Sequence, residues 1–156
     1  MDSRMLQPSL VIGIGNPLRG DDGVGWHLAE ALGPPHRAFH QLTPECAAVL
    51  AGCRRVLFVD AWCGESASAE PLLRPLVCAA AGGVAPRESA FTHQLHPAAL
   101  LAISDRLYGH RPEAWELLVP ASRRDHGEAF SPQLQARLPR ARALVQQWLE
   151  EALCTS

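Results

Sequence analysis

Several things are scarce in this chain, and each scarcity closes a door. No apolar run approaches the roughly 20 residues needed to cross a bilayer, so no membrane insertion is expected. Residues 1–8 lack the basic region and long apolar core of a secretory signal. The expected compartment is the cytoplasm. Net charge is only −2, which gives no electrostatic basis for binding nucleic acid or an anionic membrane. The five cysteines are an odd number with no C-x-x-C pair, which argues against a disulfide framework or a structural zinc site. Internal repeats, low-complexity tracts and domain linkers are also absent. What remains is an ordinary globular composition, 47% apolar and 19% charged over 156 residues. That length is one domain, 1–156, expected as a monomer.

The chain's most informative stretch is Leu10 to Gly25. An apolar run with β character stops at Gly13 and Gly15, and a tight turn leads to Asp21 and Asp22, where a helix should begin. Such a place usually holds a phosphate, because free N–H groups and the helix dipole attract anions. Here it carries its own negative charge. The dinucleotide fingerprint fails because Leu18 occupies its third glycine position and no acid ends the next strand. The phosphate-binding P-loop fails because Asp21 and Asp22 stand where a lysine and a hydroxyl are needed. A cation or acid–base chemistry fits better.

Hydrophobic patterning predicts strands at 10–14, 38–42, 55–60, 72–78 and 115–119. It predicts helices from Asp21 as N-cap to Leu32, from Pro44 to Cys53 and over 97–107. A last long helix carries the stripe Leu134, Leu138, Ala141, Val145, Trp148 and Ala152. Cys46 and Cys53 fall on the apolar stripe of the second helix and read as buried, reduced thiols. This order predicts a single three-layer α/β/α domain with a mostly parallel twisted sheet of about five strands. Ligands of such sheets bind outside the carboxyl ends of the strands, where the strand order reverses. Asp22 follows the first strand and Asp60 ends the third. If those strands are neighbours, both carboxylates open into one crevice.

Asp22, Asp60 and His93 are therefore the candidate site. Each has a plainer reading: Asp22 as a first-turn acid favoured by the dipole, Asp60 as a turn cap, His93 as a surface loop residue. His96 is a possible second ligand or the cap before Pro97, and Cys63 lies close enough to Asp60 to be of interest. Two carboxylates and an imidazole suit an O/N transition-metal site with open positions. They equally suit a water activated by a carboxylate.

The run Gly13-Ile14-Gly15-Asn16-Pro17-Leu18-Arg19-Gly20-Asp21-Asp22-Gly23-Val24-Gly25 closely resembles the first motif of the NiFe-hydrogenase maturation endopeptidases. Val59-Asp60-Ala61 resembles their second motif and Thr92-His93-Gln94-Leu95 their third, in the same order over nearly the whole chain. The resemblance implies a phosphorylase/hydrolase-like fold and a metal-binding cleft formed by Asp22, Asp60 and His93, both catalytic and metal-contacting. Some members carry glutamate at the position of Asp22. It further implies removal of a C-terminal extension from a hydrogenase large-subunit precursor after nickel insertion, of aspartic or metal-assisted type. The nickel would be sensed in the substrate, with no permanently bound metal required. The segment from Val119 to Phe130 departs from several members. Two other readings stay open: a non-enzymatic nickel chaperone, and a peptidyl-tRNA hydrolase-like esterase. The esterase reading lacks its catalytic histidine after the first turn, where Gly20-Asp21-Asp22-Gly23 stands. Partner choice is expected from two polar stretches, Cys63 to Pro71 and Ser122 to Ser131, carried as loops on a rigid sheet.

Overall fold

The structure is a computed structural model that describes residues 7–62, 69–77, 95–122, 127 and 129–154. Five strands form one sheet in the order β2-β1-β3-β5-β4. They are β1 (Gln7–Ile14), β2 (Arg37–Phe39), β3 (Cys53–Trp62), β4 (Leu72–Pro75) and β5 (Glu113–Pro120). β1 pairs in parallel with both β2 and β3, and β3 in parallel with β5. β4 is the antiparallel edge, with Leu72 opposite Leu118 and Pro75 opposite Trp115. The helices are α1 (Val24–Leu32), α2 (Ala47–Leu50), α3 (Pro97–Tyr108) and α4 (Pro132–Cys154). The mostly parallel five-stranded α/β architecture expected from the sequence is the one observed.

Side-chain alternation along the strands builds two cores, one on each face of the sheet. Leu10, Ile12, Ile14, Val56 and Phe58 pack with Leu50 of α2 and with Leu100 and Leu101 of α3. Val11, Leu57, Val59, Leu117 and Val119 pack with Val24 and Leu28 of α1 and with Leu134, Ala141, Val145 and Trp148 of α4. Central strands buried on both faces read as continuous apolar runs, as β1 and β3 do. Trp148 is fully buried, and the Arg55 guanidinium lies 4.3 Å from its ring centroid. Truncating such an indole to alanine costs about 3–5 kcal/mol.

Several boundaries move. The second helix shrinks to a 3-10 turn, Pro44–Cys46, followed by α2. Cys53 is not on that helix but opens β3, opposite Gln7 of β1. It is still a buried free thiol, and burial pushes its pKa up to about 12. β3 runs past Asp60 to Trp62 because β5 keeps pairing with it, Trp62 lying opposite Pro120. The first helix is preceded by a 3-10 turn, Gly20–Gly23, and its N-cap position is Gly23, not Asp21.

Candidate active site

β1 is the switch point of the sheet. The chain leaves β1 through α1 to β2 on one side, then crosses to β3 on the other. The crevice at the carboxyl ends of β1 and β3 is where such a fold binds its ligand. Asp22 arrives there from the 3-10 turn after β1, and Asp60 stands near the end of β3.

Two glycines bring the turn this close. A Cβ on Gly25 would collide with the carbonyl oxygen of Val59 and the backbone of Ile14. The first turn of α1 therefore rests directly on the backbone of β1 and of β3, one residue before Asp60. Gly15 has φ +145°, and a Cβ there would strike the carbonyl oxygen of Asp22. Only glycine takes this backbone without strain. The loop between these glycines is closed on itself. Asn16 Oδ1 accepts from Leu18 N at 2.9 Å, Asn16 O accepts from Arg19 N at 3.1 Å, and Arg19 O accepts from Asp22 N at 3.2 Å.

The two adjacent aspartates do different work. Asp22 is half-buried, and its Oδ2 accepts from Asn16 N at 3.1 Å. Asp21 is fully buried and does not cap α1. Its Oδ1 accepts from Ser131 N at 2.7 Å, and its Oδ2 from Ser122 N at 3.0 Å and Ser131 Oγ at 2.6 Å. Sequence reasoning missed this because the partners lie 101 and 110 residues away. The Ser131-Pro132 pair, a cap residue before a proline, was the available sign of a helix start there.

Asp60 is half-buried on β3, opposite Leu118 of β5. Its Oδ1 accepts from the next amide, Ala61 N, at 2.8 Å. By alternation it shares a sheet face with Val56 and Phe58, the face packed by α2 and α3. The 3-10 turn carrying Asp22 lies against β3.

His93 and Cys63 lie outside the described residues, as do 123–126 and 128 of the second polar stretch. His96 resolves toward the plainer of its two readings: it is the N-cap of α3, with Nδ1 accepting from Ala98 N at 3.2 Å. Among the described residues, no three His, Cys, Asp or Glu side chains gather into a metal-binding group. The described part of the crevice thus offers two carboxylates, hard oxygen donors able to hold a cation or take a proton from water. A cavity of about 440 Å³ lies at the other end of the sheet, between Leu76, Leu101, Arg111 and Trp115. It is remote from both carboxylates.

No protein-family profile matches the chain, and no curated protein matches it significantly in sequence. Solved structures do. The NiFe-hydrogenase maturation protease HycI from Thermococcus kodakarensis superposes with a TM-score of 0.67 at 21% identity, over 92% of each chain. The hydrogenase maturating endopeptidase HybD from E. coli gives 0.64 at 19% identity, over 94% of each chain. A hydrogenase 2 maturation peptidase from a Thaumarchaeota archaeon gives 0.63 at 20% identity, over 92% of this chain and 99% of that one.

The chain has the fold of these maturation proteases. No helix among the described residues is long and apolar enough to cross a membrane.

Proposed function

We propose that the chain is an endopeptidase that removes the C-terminal extension of a NiFe-hydrogenase large-subunit precursor after nickel has been inserted. The observation that carries this reading is the pair Asp22 and Asp60, delivered to the switch point from β1 and β3. The first motif, which packs the turn onto β3 through Gly25, and the fold shared with maturation proteases support it.

The reaction needs a base for water and a site that orients the scissile peptide. Either Asp22 or Asp60 would take the proton from the attacking water. Direct attack by a carboxylate is the alternative route. His93 is assigned as the imidazole that completes the set. The nickel belongs to the substrate. It would dock among Asp22, Asp60 and His93, placing the precursor's C-terminal region over the carboxylates. The family resemblance then gives the purpose: cleavage lets the new C-terminus fold inward over the hydrogenase active site. The proposed setting is the cytoplasm.

Incubation with nickel-loaded precursor tests the proposal. The wild-type protein shortens the precursor, and Asp22→Asn and Asp60→Asn do not, while both variants keep the wild-type unfolding midpoint within a few degrees. A precursor that is bound but never shortened would leave a nickel chaperone as the function.

A further inference from the structure

We propose that Asp21 is a positioning residue for Asp22, fixing where the carboxylate-bearing turn sits relative to the sheet. The inference rests on the reading of Asp22 as part of the active site. It is carried by the tethers on the side of the turn that faces α4. Asp21 is fully buried and spends both oxygens on the segment between β5 and α4. Oδ2 takes Ser122 N, just after β5, and Oδ1 takes Ser131 N, just before α4. Ser131 Oγ donates to Asp21 at 2.6 Å and accepts from Leu134 N at 3.2 Å, so one hydroxyl joins the carboxylate to the first turn of α4. A short parallel bridge lies beside this tether. Gly127 O accepts from Gly20 N at 2.6 Å, and Gly127 N donates to Leu18 O at 2.7 Å.

The bonds within the loop, Arg19 N to Asn16 O and Asp22 N to Arg19 O, set its shape. They do not set its place. The glycine contacts hold it against β1 and β3, and on the α4 side the Asp21 side chain joins it to the end of β5 and the start of α4. A charged carboxylate serves this role well, because hydrogen bonds to it are about twice as strong as neutral ones. The consequence falls on the next residue. If the turn rocks, Asp22 loses its bond from Asn16 N and its place against β3. An error of about 1 Å in such a group costs on the order of 100-fold in rate.

The test pairs Asp21→Asn with Val145→Ala. Val145 is a core residue on the same helix, roughly 20 Å from Ser131 along its axis, and it serves as a control for stability alone. Both variants are compared with the wild type at a temperature where circular dichroism shows all three folded. The first readout is hydrogen exchange of the Asn16 amide, which reports the Asp22 bond whether or not any substrate is cut. In Asp21→Asn it should exchange about 10-fold faster or more relative to the Phe58 amide, and in Val145→Ala the ratio should not move. The second is cleavage of nickel-loaded precursor, where Asp21→Asn should lower kcat by about 10- to 100-fold with KM within about 3-fold. Val145→Ala should leave both parameters unchanged. An unchanged exchange ratio in Asp21→Asn, or kinetics matching Val145→Ala, overturns the inference. Should Asp21→Asn not fold, Ser131→Ala removes one of the three described bonds, and an unchanged Asn16 ratio there has the same force. A wild-type protein that cuts nothing defeats the proposed function, while the Asn16 exchange still decides the role of Asp21.

Discussion

His36 and Val11 are joined as two strands would be. The imidazole Nδ1 accepts from Val11 N at 3.0 Å, just before β2 begins at Arg37. Pairing between β1 and β2 starts only at Ile12, opposite Arg37. The side chain of His36 therefore extends the sheet by one bond, to an amide on a fully buried residue.

This bond makes stability depend on pH in a definite direction. Burial lowers the pKa of His36 below its usual 6.5. Protonated Nδ1 carries a hydrogen and cannot accept from Val11. The unfolded chain thus binds more protons than the folded one just below pH 6.5. The contribution is present above that pH and is lost as pH falls through the folded pKa. Urea unfolding at pH 7.5 and at pH 5.5 should show this loss in the wild type. His36→Leu should be less stable at pH 7.5, with a smaller difference between the two pH values. An equal pH difference in the variant would assign the effect to another group.

A second pair fixes the edge of the sheet. Glu116 is a buried acid in β5, directly opposite Arg74 of β4. Arg74 Nε donates to Glu116 Oε1 at 2.7 Å, with the side chains 44% and 3% exposed respectively. Removing one partner of a fully buried pair costs about 3–5 kcal/mol. Arg74 is half in water, so Arg74→Met should cost less, about 1–3 kcal/mol in urea unfolding. A loss below about 0.5 kcal/mol would put the pair with ordinary surface ion pairs.

The fold was legible wherever local pattern and final packing agree. The apolar runs of β1 and β3 and the stripe of α4 are each dictated by one buried face, and the core contains Leu134, Ala141, Val145 and Trp148 of that stripe. The β1–β3 adjacency, on which the crevice depends, was only a condition in the sequence, and the parallel pairing of the two strands supplies it. What was misread depends on partners far away in sequence. Asp21 looked like a helix cap because an acid before an apolar run normally is one, and Ser131 was invisible at that range. Cys53 looked helical because it stands three positions after Leu50, yet pairing with Gln7 of β1 takes it into β3. Asp60 seemed to end its strand, but β5 carries the pairing on to Trp62.

The described crevice offers Asp22 and Asp60, and no described cysteine joins them in a metal-binding group. Cys46 and Cys53 are buried, Cys53 with its pKa raised to about 12, and Cys154 stands exposed near the end of α4. On the proposed function, carboxylate oxygens with the imidazole assigned to His93 would suit transient contact with a borderline metal, whereas a permanent structural site would use thiolates and close its coordination shell. Under the proposed function the chain would therefore read nickel that the precursor already holds. Precursor purified without nickel should stay uncut even with protease in large excess. Loading nickel into that same precursor should restore cutting, and adding nickel to the protease alone before desalting should not. Zinc-loaded precursor would show whether any divalent cation suffices. Rapid cutting of nickel-free precursor would refute sensing of the substrate metal. It would make the chain a protease that reads peptide sequence alone, with Asp22 and Asp60 acting only on water.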